Sequence, residues 1–216
     1  MRRAGRGPAR ERPRAGRLNG RMNTIHEGGA PPVLRGNGLV LGAWDAESDA
    51  DADAWWRGQA DEEFLRWNTP LRPVTDLASS RESLRAKAWQ TAEGTSVSFR
   101  IADAEDGTVL GHVGVNMIDR VTRSGRVGYW VLPGARGRGV ASRALTLAAR
   151  WALGEGGLYR LELGHALGHE ASCRVAERCG FPYEGTLRGA MFEAGRQDAF
   201  RDVHLHARLA DDPERP

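Results

Sequence analysis

The sequence predicts an α+β fold: one mixed, mostly antiparallel sheet carrying helices on both faces. Three observations carry that expectation. Apolar runs punctuated by turn residues between Thr95 and Leu132 read as an antiparallel meander. A strand, a glycine- and arginine-rich loop, a helix and another strand follow between Val127 and Leu163; this βαβ unit makes its two strands parallel. Two closing strand patterns near 182–188 and 201–209 complete the sheet.

Taken in order, residues 1–36 hold nine arginines, with Gly and Pro and few large apolar side chains. Such a segment cannot bury enough surface to order itself, so it reads as a disordered tail or as residues upstream of a start at Met22. A nucleic-acid-binding arm is the alternative. The folded domain spans 37–210, and 211–216 form a short tail. Gly38–Trp44 reads as the first strand. The acidic stretch from Asp45 reads as one or two helices burying Trp55, Trp56, Phe64, Leu65 and Trp67, until Pro70 and Pro73 break it. A further helix runs from a cap at Ser79–Glu82 to about Trp89. Thr95–Ala102 and Val109–Ile118 flank the turn Glu105–Asp106–Gly107 as strands. Ser124–Gly125 leads into the apolar run Val127–Leu132. A helix carrying Ala141, Ala144, Leu145, Ala148 and Ala152 on one face follows, then the strand Leu158–Leu163. Glu170–Cys179 is the last helix, closed by Gly180. Gly189–Asp198, between the two closing strands, reads as a loop.

The whole-chain bounds exclude several classes. No apolar run reaches about 18 residues, so no membrane helix is expected. The arginine-rich start lacks the apolar stretch of a secretory signal. Cys173 and Cys179 fall on different faces of one helix, which argues against a mutual disulfide, and no His/Cys cluster has zinc spacing; no metal is expected. The net charge of +3 comes from the tail, the remainder being net negative, so it does not argue for a nucleic-acid enzyme. A cytoplasmic protein is expected, and a homodimer is left open.

The loop Pro133–Ala141 carries the chemistry. Gly137 and Gly139 allow positive φ and close backbone approach, Arg136 and Arg138 add charge, and the helix start at Val140 and Ala141 offers unsatisfied amides. That arrangement holds phosphate. The nucleoside-triphosphatase loop does not fit, for no lysine followed by Ser or Thr is present, and Gly137-x-Gly139 is followed by Ser142 rather than by the Rossmann glycine. Arg136-x-x-Gly139-x-Ala141 instead resembles the acyl-CoA pyrophosphate loop, R/Q-x-x-G-x-G/A, of the GNAT N-acetyltransferases. Val127–Val131 sits where that family has a bulged fourth strand. Ser172–Phe181 resembles its later helix ending in Gly-Phe, and Asp202–Arg208 its last strand. The resemblance covers roughly Gly38 to Leu209 and is nearest the branch that acetylates N-termini of ribosomal proteins.

The resemblance implies about seven strands, splayed between the fourth and fifth, and about four helices. It implies direct attack of an amine on the thioester of acetyl-CoA, without a covalent enzyme intermediate. The backbone from Arg136 to Ala141 then grips the diphosphate. Trp130, Val131 and Leu132 line the pantetheine arm, where a bulge would free backbone N–H groups for the thioester oxygen. The family's tyrosine acid falls on Ala176. The branch's Asn-x-x-Ser falls on His169–Ser172, so Ser172 is the candidate acid to the thiolate, or else an ordinary helix-start residue. His169 either bonds the pantetheine arm or sits at the surface. The branch's glutamate base falls on Met191, leaving Glu193, His112, His165, His204 and His206 as candidates, or no side chain at all. The acceptor is an amine, either a protein N-terminus or a small molecule such as an antibiotic or its precursor. A non-catalytic acyl-CoA-binding module is the alternative.

Overall fold

The computed structural model describes residues 29–213. The tail expected to be disordered lies, for residues 1–28, outside the described residues.

Among the described residues, eight strands form one sheet ordered β1-β2-β3-β4-β5-β6-β8-β7. Two short strands, β1 (Leu34–Gly36) and β2 (Leu39–Gly42), open it as a hairpin around Asn37 and Gly38, both at positive φ. The sheet thus begins inside the segment read from sequence as tail. The meander continues with β3 (Val97–Asp103), β4 (Val109–Asp119) and β5 (Ser124–Val131). The last three strands are β6 (Arg160–Ala166), β7 (Tyr183–Glu193) and β8 (Arg196–Leu209).

Among the described residues, five α-helices cover the sheet: α1 (Asp49–Gln59), α2 (Glu62–Trp67), α3 (Leu77–Ala92), α4 (Val140–Leu153) and α5 (Glu170–Arg178). Local chemistry fixes their starts. Ser48 caps α1 by accepting from the Asp51 amide, and Asp61 caps α2 by accepting from Phe64. Asp76 and Ser79 form a reciprocal capping box on α3, so that helix begins just after Asp76 rather than at the expected Ser79–Glu82 cap. On α4 the stripe Ala144, Leu145, Ala148, Ala149 and Ala152 is fully buried, which seats the helix on Phe99, Val113 and Leu161 of the sheet. On the other face α1 and α3 enclose a second apolar cluster of Trp55, Val74, Leu84, Trp130 and Leu132. Leu65, expected inside, is exposed, because α2 is short and buries no residue fully.

Two further differences from expectation shape the site. The stretch read as a loop, Gly189–Asp198, is the tip of a long β7–β8 hairpin turning at Ala194–Gly195, with Phe192 opposite Phe200 and their rings 5.3 Å apart. Cross-strand aromatic contact outweighs the poor strand propensity of its glycines. The expected bulge at Trp130–Leu132 is absent: β5 pairs with β4 in continuous register from Arg126 to Val131. The irregularity falls instead at Asn116–Asp119, opposite Ser124–Arg126, where Met117 has positive φ.

Candidate active site

The sheet opens between β5 and β6. These strands pair in parallel only over Ser124–Arg126 and Arg160–Glu162, although β5 runs on to Val131 and β6 to Ala166. The Leu132 amide bonds Leu110 on β4. Strand alternation then turns the Tyr129 and Val131 amides the other way, toward the gap. A cleft of ≈380 Å³ fills the opening. From one face it is lined by Tyr129, Ser172, Val175 and the loop before α4; from the other, by Phe64, Trp67 and Asn68 of α2 and its C-terminus. It therefore crosses the sheet.

Most of the sequence-predicted residues meet there. Trp130, Val131, Arg136, Gly137, Gly139, Val140, Ala141, His169 and Ser172 all line the cleft. Two do not. Leu132 is buried in the tryptophan cluster on the α1–α3 face, and Arg138 is exposed outside the lining. Alternation along β5 puts Tyr129 and Trp130 on opposite faces, and the Trp130 ring lies against His112, Trp44 and Trp55. A Cβ on Gly58 of α1 would come 2.3 Å from that ring, so glycine there lets the helix approach.

The loop has the properties a diphosphate cradle needs. Gly137 and Gly139 adopt φ of 74° and 71°, and a Cβ on either would meet nothing within 4 Å, so open space lies above both. Gly139 is the N-cap of α4 and provides no side-chain cap, leaving the first-turn amides available. The Arg136 guanidinium donates to Val131 O and contacts the Asp61 carboxylate, tying the loop to the start of α2. The chain thus fits the diphosphate end of acetyl-CoA.

At the cleft floor the Tyr129 hydroxyl donates to Ser172 Oγ at 3.2 Å. Burial pushes the Tyr129 phenol up to about 12, so it keeps its proton at any ordinary pH. Ser172 is buried on the first turn of α5 and can accept from Tyr129 while its own O–H turns into the cleft. Sequence reasoning found Ser172 and missed Tyr129, whose only signal was its place next to Trp130. Ala176, where the family's tyrosine would fall, is fully buried. His169 stacks on Trp67 at 4.4 Å, and burial, with help from His165, lowers it to about 4, so it is neutral near pH 7.

None of the bases proposed from sequence lines the cleft. His112 is buried, accepts from Trp44 Nε1 and is lowered by burial to about 3. His165 and His206 contact each other, and His204 packs against Tyr183. Met191 and Glu193 lie on β7; Met191 helps line a second, adjoining hollow of ≈440 Å³ together with Leu71, Phe192 and Phe200. Phe64 and Asn68 belong to both hollows. The hairpin tip closes onto α2 through Thr69 Oγ1, which donates to Glu193 O at 2.8 Å, and Arg201, which donates to Arg66 O at 3.1 Å.

A mixed sheet parted in its middle, with a glycine loop at a helix start facing the gap, defines an acyl-CoA-dependent transferase. The chain belongs to the GNAT acetyltransferase family: residues 39–182 match the acetyltransferase (GNAT) domain model. It is an N-acetyltransferase that uses acetyl-CoA. It is 28% identical over 150 residues to the ribosomal-protein-serine acetyltransferase of Escherichia coli K12, covering 69% of this chain and 79% of that protein. Among solved structures it resembles the ribosomal L7/L12 alpha-N-protein acetyltransferase RimL in complex with coenzyme A (TM-score 0.73, 20% identity, 82% of this chain and 98% of that one). It also resembles the microcin C7 self immunity acetyltransferase MccE in complex with acetyl-CoA and AMP (TM-score 0.71, 19% identity, 81% and 93%). These matches favour the enzyme over a non-catalytic binding module. Among the described residues no helix is long and apolar enough to cross a membrane.

Proposed function

We propose that this enzyme acetylates the α-amine of a protein N-terminus, with Ser172 as the proton donor to sulfur and Tyr129 behind it. The observation that carries the reading is the Tyr129–Ser172 hydroxyl pair on the floor of a cleft that opens on both faces of the sheet. Acetyl-CoA supplies the acetyl thioester. The backbone from Arg136 to Ala141 holds its diphosphate, and the Val131 amide, turned into the gap, is the donor for the thioester oxygen. The acceptor enters from the α2 side, where Phe64, Met191, Phe192 and Phe200 form an apolar mouth wide enough for a peptide end. Ser172 gives its hydrogen to the departing sulfur while Tyr129, which keeps its own proton, donates a hydrogen bond to Ser172 Oγ; the proton that the amine sheds to water restores the serine hydroxyl. His169, neutral, stays a hydrogen-bonding wall rather than a charge.

No side chain is needed as base. An α-amine has a pKa near about 8, against about 10.4 for lysine, and loses its proton to water at small cost. The E. coli relative is named a ribosomal-protein-serine acetyltransferase and the RimL neighbour an alpha-N-protein acetyltransferase, names that support a protein N-terminus as acceptor. A ribosomal acceptor and two free cysteines suit a cytoplasmic setting. Small amines are the competing acceptor class, and the likeness to MccE, named a microcin C7 self immunity acetyltransferase, keeps that class in the test. Thiol release should be measured with short peptides bearing free N-termini, the same peptides blocked at the N-terminus but carrying lysine, and small amines. Turnover confined to free α-amines of peptides is expected. Turnover only with small amines, or equal turnover with lysine, would overturn the assignment.

A further inference from the structure

Behind the cleft, on the far side of the first turn of α5, three metal-ligating side chains converge from three elements. His165 comes from β6, Cys173 from α5 and His206 from β8. None lines the cleft. We propose that they form a site for one thiophilic divalent cation of the zinc class.

The hydrogen bonding fixes which atoms are free. His165 Nδ1 lies 3.1 Å from Ala166 O, and His206 Nδ1 lies 3.1 Å from Phe181 O. A carbonyl only accepts, so each Nδ1 carries the proton and each Nε2 presents a lone pair. The two Nε2 atoms nevertheless face each other at 3.3 Å, in rings that are buried. Two neutral imidazoles in these tautomers have no hydrogen to share across that contact. Cys173 Sγ lies 3.6 Å from His206 Nε2, and all three ligand atoms lie within 4.8 Å of one another. Backbone carbonyls that lock Nδ1–H and aim Nε2 are the arrangement that orients histidine toward a metal.

The spacing also fits. With Zn–N near about 2.05 Å and Zn–S near about 2.3 Å, a tetrahedron has N–N edges of about 3.3–3.4 Å and N–S edges of about 3.5–3.6 Å. The contacts of 3.3 Å and 3.6 Å match two of the three edges, and the remaining pair, His165 and Cys173, lies within 4.8 Å. Cys173 is only partly buried, so the fourth position is left to water. Binding exchanges the thiol proton for the cation and releases that proton to solvent, with no change of oxidation state. The site escapes sequence inspection because residues 165, 173 and 206 share no short spacing. Its effect would be to pin α5, and with it Ser172 next to Cys173, against β6 and β8. It is separate from acetyl transfer, which needs no metal.

The test uses the full, tag-free chain stripped with chelator. Zinc titrated against a chromophoric chelator should bind one equivalent with a Kd below about 10⁻⁷ M. Cobalt in its place should give the visible bands of a four-coordinate ion and a thiolate charge-transfer band. His206 is fully buried and its variants can misfold, so Cys173→Ala is the deciding change. That variant should match the parent's thermal midpoint in chelator, lose the charge-transfer band and bind zinc at least about 100-fold more weakly. No stoichiometric binding at micromolar zinc would overturn the site. So would a Cys173→Ala variant with the parent's affinity and spectrum, or a thermal midpoint that follows pH but not zinc.

Discussion

Tyr129→Phe removes one oxygen from the cleft floor and leaves the ring that packs beside the core. The lost interaction is one neutral hydrogen bond to Ser172 Oγ, 3.2 Å long. Such a bond is worth about 0.5–1.5 kcal/mol, which converts to about two- to thirteenfold in rate if all of it is felt as sulfur departs. Ser172→Ala removes the donor itself. General-acid help is worth about 10²–10⁴. A thiol pKa near about 8.5 makes the unassisted thiolate a tolerable leaving group, which sets the expectation at the low end, about tenfold or somewhat more. Because the two hydroxyls act in series, the double variant should be no slower than Ser172→Ala by more than about twofold. The assay is steady-state thiol release with saturating acetyl-CoA, accompanied by calorimetry. Acetyl-CoA affinity should barely move, since the diphosphate grip is elsewhere. A Tyr129→Phe enzyme with parental kcat, or a double variant whose loss is the product of the two single losses, would refute the series arrangement. Ser172→Ala within twofold of the parent would return Ser172 to a helix-start residue.

Gly139→Glu puts a side chain and a negative charge into the open space above the loop; acetyl-CoA binding should fall at least about tenfold while the positive φ costs only about 1–2 kcal/mol of stability. Calorimetry showing parental affinity in the folded variant would count against the cradle. Asp61→Asn keeps the α2 cap but releases Arg136, and removes a carboxylate beside the diphosphate site, so acetyl-CoA should bind up to about fivefold more tightly; weaker binding would refute this. His112 and His169 are held by burial at about 3 and about 4, against about 6.5 in the unfolded chain, so the unfolded state takes up more protons below about 6.5. Stability should therefore fall on acidification through that window, by about 1.4 kcal/mol per pH unit for the buried His112 until nearer pH 3, with a smaller contribution, reduced by solvent screening, from the half-buried His169 until about pH 4. Urea midpoints at stepped pH would measure the slope, and His112→Asn, which cannot titrate, should flatten it; an unchanged slope would refute the assignment.

The features legible in the sequence are those whose chemistry is local. Gly137 and Gly139 sit at positive φ because the loop requires it, and the α4 stripe repeats at helical period, so both could be read without neighbours. The features that were missed depend on contacts across the chain. Tyr129 meets Ser172 over a separation of 43 residues, and Arg136 meets Asp61 over 75. The β7–β8 hairpin tip is held by Phe192 against Phe200 and by Thr69 on Glu193, so Gly189, Ala190 and Gly195 hide it from propensity. Leu132 was misplaced because it is the first residue after β5, and a one-residue step along a strand exchanges cleft for core.

The short pairing of β5 with β6 has a mechanical consequence. Three rungs, Ser124–Arg126 against Arg160–Glu162, join a five-stranded panel to a three-stranded one, with α4 bridging them on one side. Where the rungs stop, the free protein keeps raw backbone edges in its middle as well as at its rim. A ligand bearing amides that lies in the opening supplies the missing rung. Coenzyme binding would then act as a splint as well as delivering a reactant. Amide exchange at Tyr129 and Val131 should slow when coenzyme A is added, in step with a rise in the temperature at which the two panels part.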